Sequence, residues 1–240
     1  MGNKAILMSI QPQWVKKILN GEKTIEVRKK FPKDYVGWVY IYCTKGKDYL
    51  YEIEDEDTNG FSYKLHKECN VEEWEAATET LNGKVVARFW CDKISELECE
   101  FWEEPLFDEN SCYQAVKLIE RDLDYPDEEQ LWNYHEMVSN EDGYTDEEVY
   151  KESKFLQKCC LSLSEIKKYV GVGGETRCFG IHISKLEVFD NPKELKELKK
   201  PCDQFIDCLN CKRFEGNENI PHCREITKAP QSYMFVEDTL

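Results

Sequence analysis

S-I-Q-P-Q-W-V-K-K-I-L-N-G-E-K-T-I-E-V-R-K-K-F-P, residues 9 to 32, is the stretch on which the reading of the whole chain turns. It spells the end of a strand, one short helix, a glycine stop and a second strand. Trp14, Val15, Ile18 and Leu19 recur at helical spacing and predict a single apolar face. Pro12 suits the first helical turn, where a missing N–H costs nothing. Gly21 stands just past the last apolar position, where a left-handed cap is wanted. The period then changes to two, with Thr24, Glu26 and Arg28 on one side and Ile25 and Val27 on the other. Lys23, Glu26 and Arg28 are therefore candidates for a polar cluster at one end of a short strand. The plain reading is a solvated strand face with an incidental ion pair, the ordinary fate of exposed charge. The functional reading is a site where Lys23 and Arg28 meet an anionic or carbonyl-rich ligand while Glu26 orients or deprotonates it.

Working outward, residues 5 to 9 predict a buried strand entering this motif, and G-W-V-Y-I-Y-C (37 to 43) predicts another. Trp38, Tyr40 and Tyr42 share one face of the latter; packing is the ordinary role of such rings, and Tyr40 or Tyr42 could instead offer a base-stacking surface. Residues 45 to 82 read as an insertion: a hairpin turning at Asn59-Gly60, then a short helix over 71–81 stopped at Asn82-Gly83. Residues 84 to 94 alternate cleanly and predict a central strand. Residues 96 to 155 read as a second, acidic insertion built of helices over 108–122 and 127–138. Farther on, Ser162 and Glu165 stand in capping-box relation. A strand is predicted over 178–189, and Pro192 is read as opening one more short helix.

The formal charge of −16 is concentrated in one place. Residues 96 to 152 hold 20 Asp and Glu against 3 Lys and Arg, and the remainder of the chain carries 28 acids and 29 bases. The neutral remainder still has Lys16, Lys17, Lys23, Arg28, Lys29, Lys30 and Lys33 close together, and phosphate binding needs a local basic patch, not a basic chain. The acidic block reads first as a solvated cover for one edge of the fold, and second as a surface mimicking nucleic-acid phosphates or meeting a protein partner. No run approaches the length of a membrane span and no basic-then-apolar leader is seen, so a soluble, cytoplasmic protein with no membrane partner is expected. In that setting the 12 cysteines point to thiols or metal, not disulfides. Cys202, Cys208, Cys211 and Cys223 are spaced C-x5-C-x2-C-x11-C in a polar segment, 201–225, that needs a staple to fold. Four thiolates suit a structural zinc ion, His222 could replace Cys223, and free thiols or an iron–sulfur cluster are the alternatives.

Strand, S-I-x-P, helix, G-x-K-T-x-E-x-R-K and proline together resemble the ASCH domain family of the PUA-like superfamily. The similarity continues in G-W-V-Y-I-Y-C (37 to 43), G-K-V-V-A-R-F-W (83 to 90), S-L-S-E-I-K-K-Y (162 to 169), C-F-G-I-H-I-S-K-L (178 to 186) and A-P-Q-S-Y (229 to 233). A similar P-Q-S ending follows the last strand in ASCH proteins of phages and mobile elements. The resemblance implies a small PUA-like β-barrel; with the insertions and the cysteine-rich segment, read above as zinc-bound, the expectation is one α+β domain over residues 1–240. It further implies RNA or nucleotide recognition at the barrel mouth. There Lys23, Arg28 and Lys29 would meet phosphate or base carbonyls and Glu26 would accept from a base amino group. Ser9, Gln11, Gln231 and Ser232 would fix orientation, and Tyr42 would add its ring. Some small bacterial members hydrolyse the amide of N4-acetylcytidine with the motif lysine, a threonine on the following strand and a separate glutamate. Lys23 matches that lysine, Glu26 stands where the threonine is expected, and the glutamate has no clear match. The alternatives are therefore a hydrolase of a modified nucleoside or RNA, with Lys23 and Glu26 catalytic, and an interaction protein acting through the acidic insertion.

Overall fold

The computed structural model describes residues 4–55, 60–77, 79–105, 112–121, 129–133, 138–140, 143–145, 154–171, 176–201 and 225–238. In chain order the elements are β1 (Lys4–Ile10), α1 (Pro12–Leu19), β2 (Ile25–Arg28), β3 (Gly37–Cys43), β4 (Leu50–Asp55), β5 (Gly60–Leu65) and α2 (Val71–Ala76). They continue with β6 (Val85–Cys91), β7 (Ile94–Pro105), β8 (Cys112–Arg121), β9 (Glu129–Asn133), β10 (Val138–Asn140) and β11 (Gly143–Thr145). The last are α3 (Lys154–Cys159), α4 (Leu163–Val170), β12 (Thr176–His182), β13 (Ser184–Lys193) and β14 (Tyr233–Glu237). The chain is α+β and divides into two compact units: residues 1–21, 36–91 and 184–240, and residues 22–35 and 92–183.

The first unit is built on a mixed five-stranded sheet in the order β13-β6-β3-β1-β14. β1 runs parallel to β3 and antiparallel to β14. From Ala5 to Ile10 every residue of β1 is buried, as expected of a strand covered on both faces. α1 forms where its apolar spacing predicts, burying Pro12, Val15, Ile18 and Leu19, and Gly21 turns the chain with φ +75°. Asn20, at the end of α1, exchanges two 3.0 Å hydrogen bonds with the backbone of Tyr63 and ties the β4–β5 hairpin to the helix. A core of Ala5, Leu7, Tyr40, Tyr42, Val85, Leu198, Ile226 and Val236 fills one side of the sheet. Pro192 opens no helix. It lies in β13, at the sheet edge and within the irregularity of the β13–β6 register between Val188 and Lys193, where a missing N–H is tolerated; a 3-10 turn over Leu195–Glu197 follows.

The second unit carries an antiparallel sheet in the order β2-β12-β7-β8-β9. The described parts of 108–122 and 127–138 are strands, not helices. β8 pairs with β7 from Glu96↔Arg121 to Pro105↔Cys112, and β9 pairs with β8. Tyr113, Val116, Leu118 and Ile119 fit either period, and β-branched residues beside a long partner strand settle on pairing. β2 pairs with β12, and the described strands include two five-stranded sheets with edges at β13 and β14, and at β2 and β9.

One face of the second sheet presents Ile25, Val27 and Cys178 to α3 and α4, which add Phe155, Leu156, Cys159, Ile166 and Val170. α4 starts at the expected capping box: Ser162 Oγ accepts from the Glu165 N–H at 3.2 Å, and Glu165 accepts from the Ser162 N–H at 2.8 Å. Gly180 permits the close approach of α3, because a Cβ there would lie 2.8 Å from two ring atoms of Phe155 and 3.1 Å from Ile25. Phe155 is only 4 % exposed and has little room to yield. Gly180→Ala should therefore lower unfolding stability in urea by about 1–3 kcal/mol, the usual cost of overpacking; an unchanged midpoint would show that α3 sits farther from β12.

In the first unit, Tyr40 is fully buried and donates its hydroxyl to Asp238 at 2.8 Å. Burial, then this bond, pushes its pKa from 10.0 up to about 12. The neutral phenol is the favoured form, so its stabilising effect is whole below pH 10 and is lost as pH rises through about 12. Over that window wild type should lose stability faster than Tyr40→Phe, followed by alkaline denaturation with tyrosine absorbance. Parallel curves would contradict the assignment.

Candidate ligand-binding site

Lys23, Glu26 and Arg28 come together at the start of β2. α3 is short, and its last carbonyls need donors from outside the helix. The Thr24 N–H donates to Lys158 O at 2.9 Å and Lys23 Nζ donates to Cys159 O at 2.6 Å. This clamp sets the phase of β2. Ile25 and Val27 enter the core, and Glu26 and Arg28 take the opposite face. Lys23 Nζ then lies 3.5 Å from Glu26 Oε2, and Arg28 approaches Glu26 Oε1 at 3.0 Å. Lys23 is 2 % exposed and Glu26 6 %, while the Arg28 side chain keeps 12 %. One buried carboxylate thus holds two cations, the arrangement that makes a buried charge tolerable.

The register extends the site across the sheet. Arg28 is opposite Phe179, and Phe179 is opposite Glu96; Glu26 is opposite Ile181, and Ile181 is opposite Ile94. Directly opposed residues share a face, so Glu26, Arg28, Phe179, Ile181 and Glu96 lie on one surface of β2, β12 and β7. Glu96 is 6 % exposed and pairs with Lys33 Nζ at 2.8 Å and with Arg177 at 3.4 Å. Sequence reading left Glu96 unassigned because nothing local distinguishes it from its acidic neighbours. The strand register alone brings it into the row of Arg28.

The aromatic beside the cluster is Tyr169, at the end of α4, not Tyr42. The Lys29 ammonium lies 5.5 Å from the centroid of the Tyr169 ring, which is 39 % exposed. Burial raises the pKa of the Tyr169 hydroxyl, the Arg28 charge and a hydrogen bond with the Lys29 backbone oppose that, and Glu26 adds to it. The tyrosine is therefore within electrostatic reach of both. Tyr42 packs in the core of the first unit at 6 % exposure, so its ring is removed from the list of stacking candidates.

Four other predicted residues belong to the first unit. Ser9 Oγ donates to Pro230 O at 2.7 Å and the Ser9 N–H donates to Ser232 O at 3.0 Å, which joins the end of β1 to the 230–232 segment. Gln11 and Gln231 are exposed, and Ser232 is half-buried. Cys202, Cys208, Cys211, Cys223 and His222 lie outside the described residues. Among the described ones, no group of three or more His, Cys, Asp or Glu is placed to hold a metal ion. No described helix is long and apolar enough to cross a membrane.

No model of a known protein family matches the chain, and no curated protein matches it. Among solved structures, one described as the crystal structure of ASCH from Zymomonas mobilis aligns over 98 % of this chain and 88 % of its own, at 11 % identity and a TM-score of 0.43. A likeness that low carries no weight for fold or function. What remains is the motif resemblance and the geometry of the cluster itself.

Replacing Lys23 by Met removes a donor from the end of α3 and one of the two cations beside Glu26. Stability in urea should fall by about 1–3 kcal/mol, and Lys23→Arg should recover part of it. A neutral Lys23→Met would show that Thr24 alone suffices as the clamp.

Proposed function

We propose that this chain binds RNA or a nucleotide at the Lys23, Glu26 and Arg28 cluster. The observation that carries the reading is the convergence of Lys23 and Arg28 on the Glu26 carboxylate, beside an exposed tyrosine and Lys29. Arg28 offers a planar set of donors suited to phosphate or to a base edge, and Glu26 keeps it aimed. Lys29 adds a mobile point charge, and Tyr169 adds a ring on which a base can stack. Lys23 supports the site, since the Cys159 carbonyl and the Glu26 carboxylate both use its amine as a donor.

The test is a titration of labelled short RNAs by fluorescence anisotropy at increasing salt. Wild type should bind with an affinity that falls as salt rises. Arg28→Glu should abolish that binding, with Arg28→Gln and a circular dichroism spectrum as the folding control. Tyr169→Ala should weaken binding by about 1–3 kcal/mol, the usual worth of one base–aromatic stack, and Tyr169→Phe should keep it. Equal binding by wild type and Arg28→Gln would move the site elsewhere.

A second reading, hydrolysis of an acetylated nucleoside, draws on one observation: Glu96 supplies a buried carboxylate on the same sheet face as Glu26. The donor role of Lys23 weighs against it, because a lysine nucleophile or base needs a neighbourhood that disfavours its charge. Turnover of N4-acetylcytidine that vanishes in Lys23→Ala would overturn the preference for binding. The zinc proposal for Cys202, Cys208, Cys211 and Cys223 rests on spacing alone. Metal analysis of protein purified without chelator should find about one zinc per chain, and a trace amount would remove the proposal.

A further inference from the structure

We infer that the surface made by α2 and the β4–β5 hairpin docks an arginine-rich segment of a protein partner. The inference concerns residues 45–82 alone and stands apart from the ligand reading above. It starts from a helix that packs no apolar face inward. A helix of six residues is marginal in water and ordinarily depends on such a face. In α2, Val71, Glu72, Trp74 and Glu75 are all exposed, and Glu73 is half-buried. Val71 keeps 70 % of its surface accessible and Trp74 keeps 48 %. Residues three and four apart are neighbours on a helix, so Val71, Trp74 and Glu75 form one outward stripe.

Polar bonds hold α2 in that orientation. The Asn70 side chain accepts from the Glu73 N–H at 2.8 Å, and the Glu73 carboxylate accepts from the Asn70 N–H at 2.9 Å. The same carboxylate takes Lys64 Nζ, from β5, at 2.6 Å. Trp74 is also the end of a row of rings. His66, directly after β5, meets it edge-on with centroids 5.5 Å apart, and Tyr51 of β4 lies 6.0 Å from His66. Three separate elements thus fix a flat aromatic row whose ordering cost is met before any partner arrives. Tryptophan in such a setting is the commonest kind of anchor for a protein partner.

Charge selects the occupant. Residues 45–82 hold 11 Asp and Glu against 4 Lys and Arg. Of the lysines beside the row, Lys64 meets Glu73 and Lys67 meets Asp48 at 3.6 Å. Glu72 and Glu75 flank Trp74 from exposed positions, and α2 carries no base. Such a surface repels a phosphate backbone and attracts a cation. A guanidinium suits it best, because it can stack on an indole ring and present paired donors to a carboxylate. An ammonium acts chiefly as a point charge.

The experiment follows anisotropy as the full chain is titrated into three labelled twelve-residue peptides, in which leucine alternates with arginine, lysine or glutamate. The arginine peptide should bind at least threefold tighter than the lysine peptide, and the glutamate peptide should not bind. Trp74→Ala should weaken the arginine peptide at least tenfold, and Glu72→Gln combined with Glu75→Gln at least threefold, with Trp74→Phe close to wild type. The charge variants leave the ring in place, so they test the inference by themselves if Trp74→Ala disturbs the hairpin. If the Trp74→Ala chain and the double glutamine variant bind the arginine peptide as wild type does, the peptide sits on other acids of the chain and the inference falls. It falls equally if the arginine peptide does not bind, or if the glutamate peptide binds as tightly. Loss of labelled RNA in place of the peptide in Trp74→Ala would make the row a base-stacking surface and overturn it as well.

Discussion

Two backbone carbonyls at the end of a six-residue helix set the geometry of the site. Lys158 O and Cys159 O have no partner within α3, and the residues that supply donors are Thr24 and Lys23. Once those bonds form, the chain enters β2 in one phase only. Ile25 and Val27 must enter the packed layer under α3 and α4, and Glu26 and Arg28 must face the other way. A strand has period two, so a slip of one residue would bury a guanidinium in that layer and expose two aliphatic side chains. The same lysine that closes the helix therefore also fixes where the carboxylate and the arginine can be.

The polar face is stabilised by a repeated arrangement of one buried acid and two cations. An isolated carboxylate at this depth would be strongly disfavoured, and a single partner leaves part of its desolvation uncompensated. At Glu26 and at Glu96 the two cations approach different carboxylate oxygens.

The quoted motif is itself divided. Its helix belongs to the first unit and its charged strand to the second, with the change at Gly21 and Glu22. The positive φ at Gly21 is the local device that lets the chain leave the helix abruptly. Two units also explain why a strand read as continuous over 178–189 is two: β12 pairs with β2 and β7, and β13 pairs with β6. Nothing in C-F-G-I-H-I-S-K-L marks the change of partner.

What residue order determined by itself was local. It set the helix over Pro12–Leu19, the glycine stop, the two-residue period of Ile25 to Arg28, the Ser162–Glu165 cap and the strand over Val85–Cys91, because spacing and side-chain chemistry within a few positions suffice for each. Tertiary structure decided whatever needed a distant partner. Residues 112–121 became a strand because β7 lay alongside, and β2 was drawn into a sheet with β12. Tyr42 went to a core and Tyr169 to the site, and Glu96 was drawn into the row of Arg28 by cross-strand register. Local periodicity says which residues share a face. Only pairing between distant segments says which faces come together, since that choice depends on backbone hydrogen bonds and burial that a single stretch of sequence does not contain.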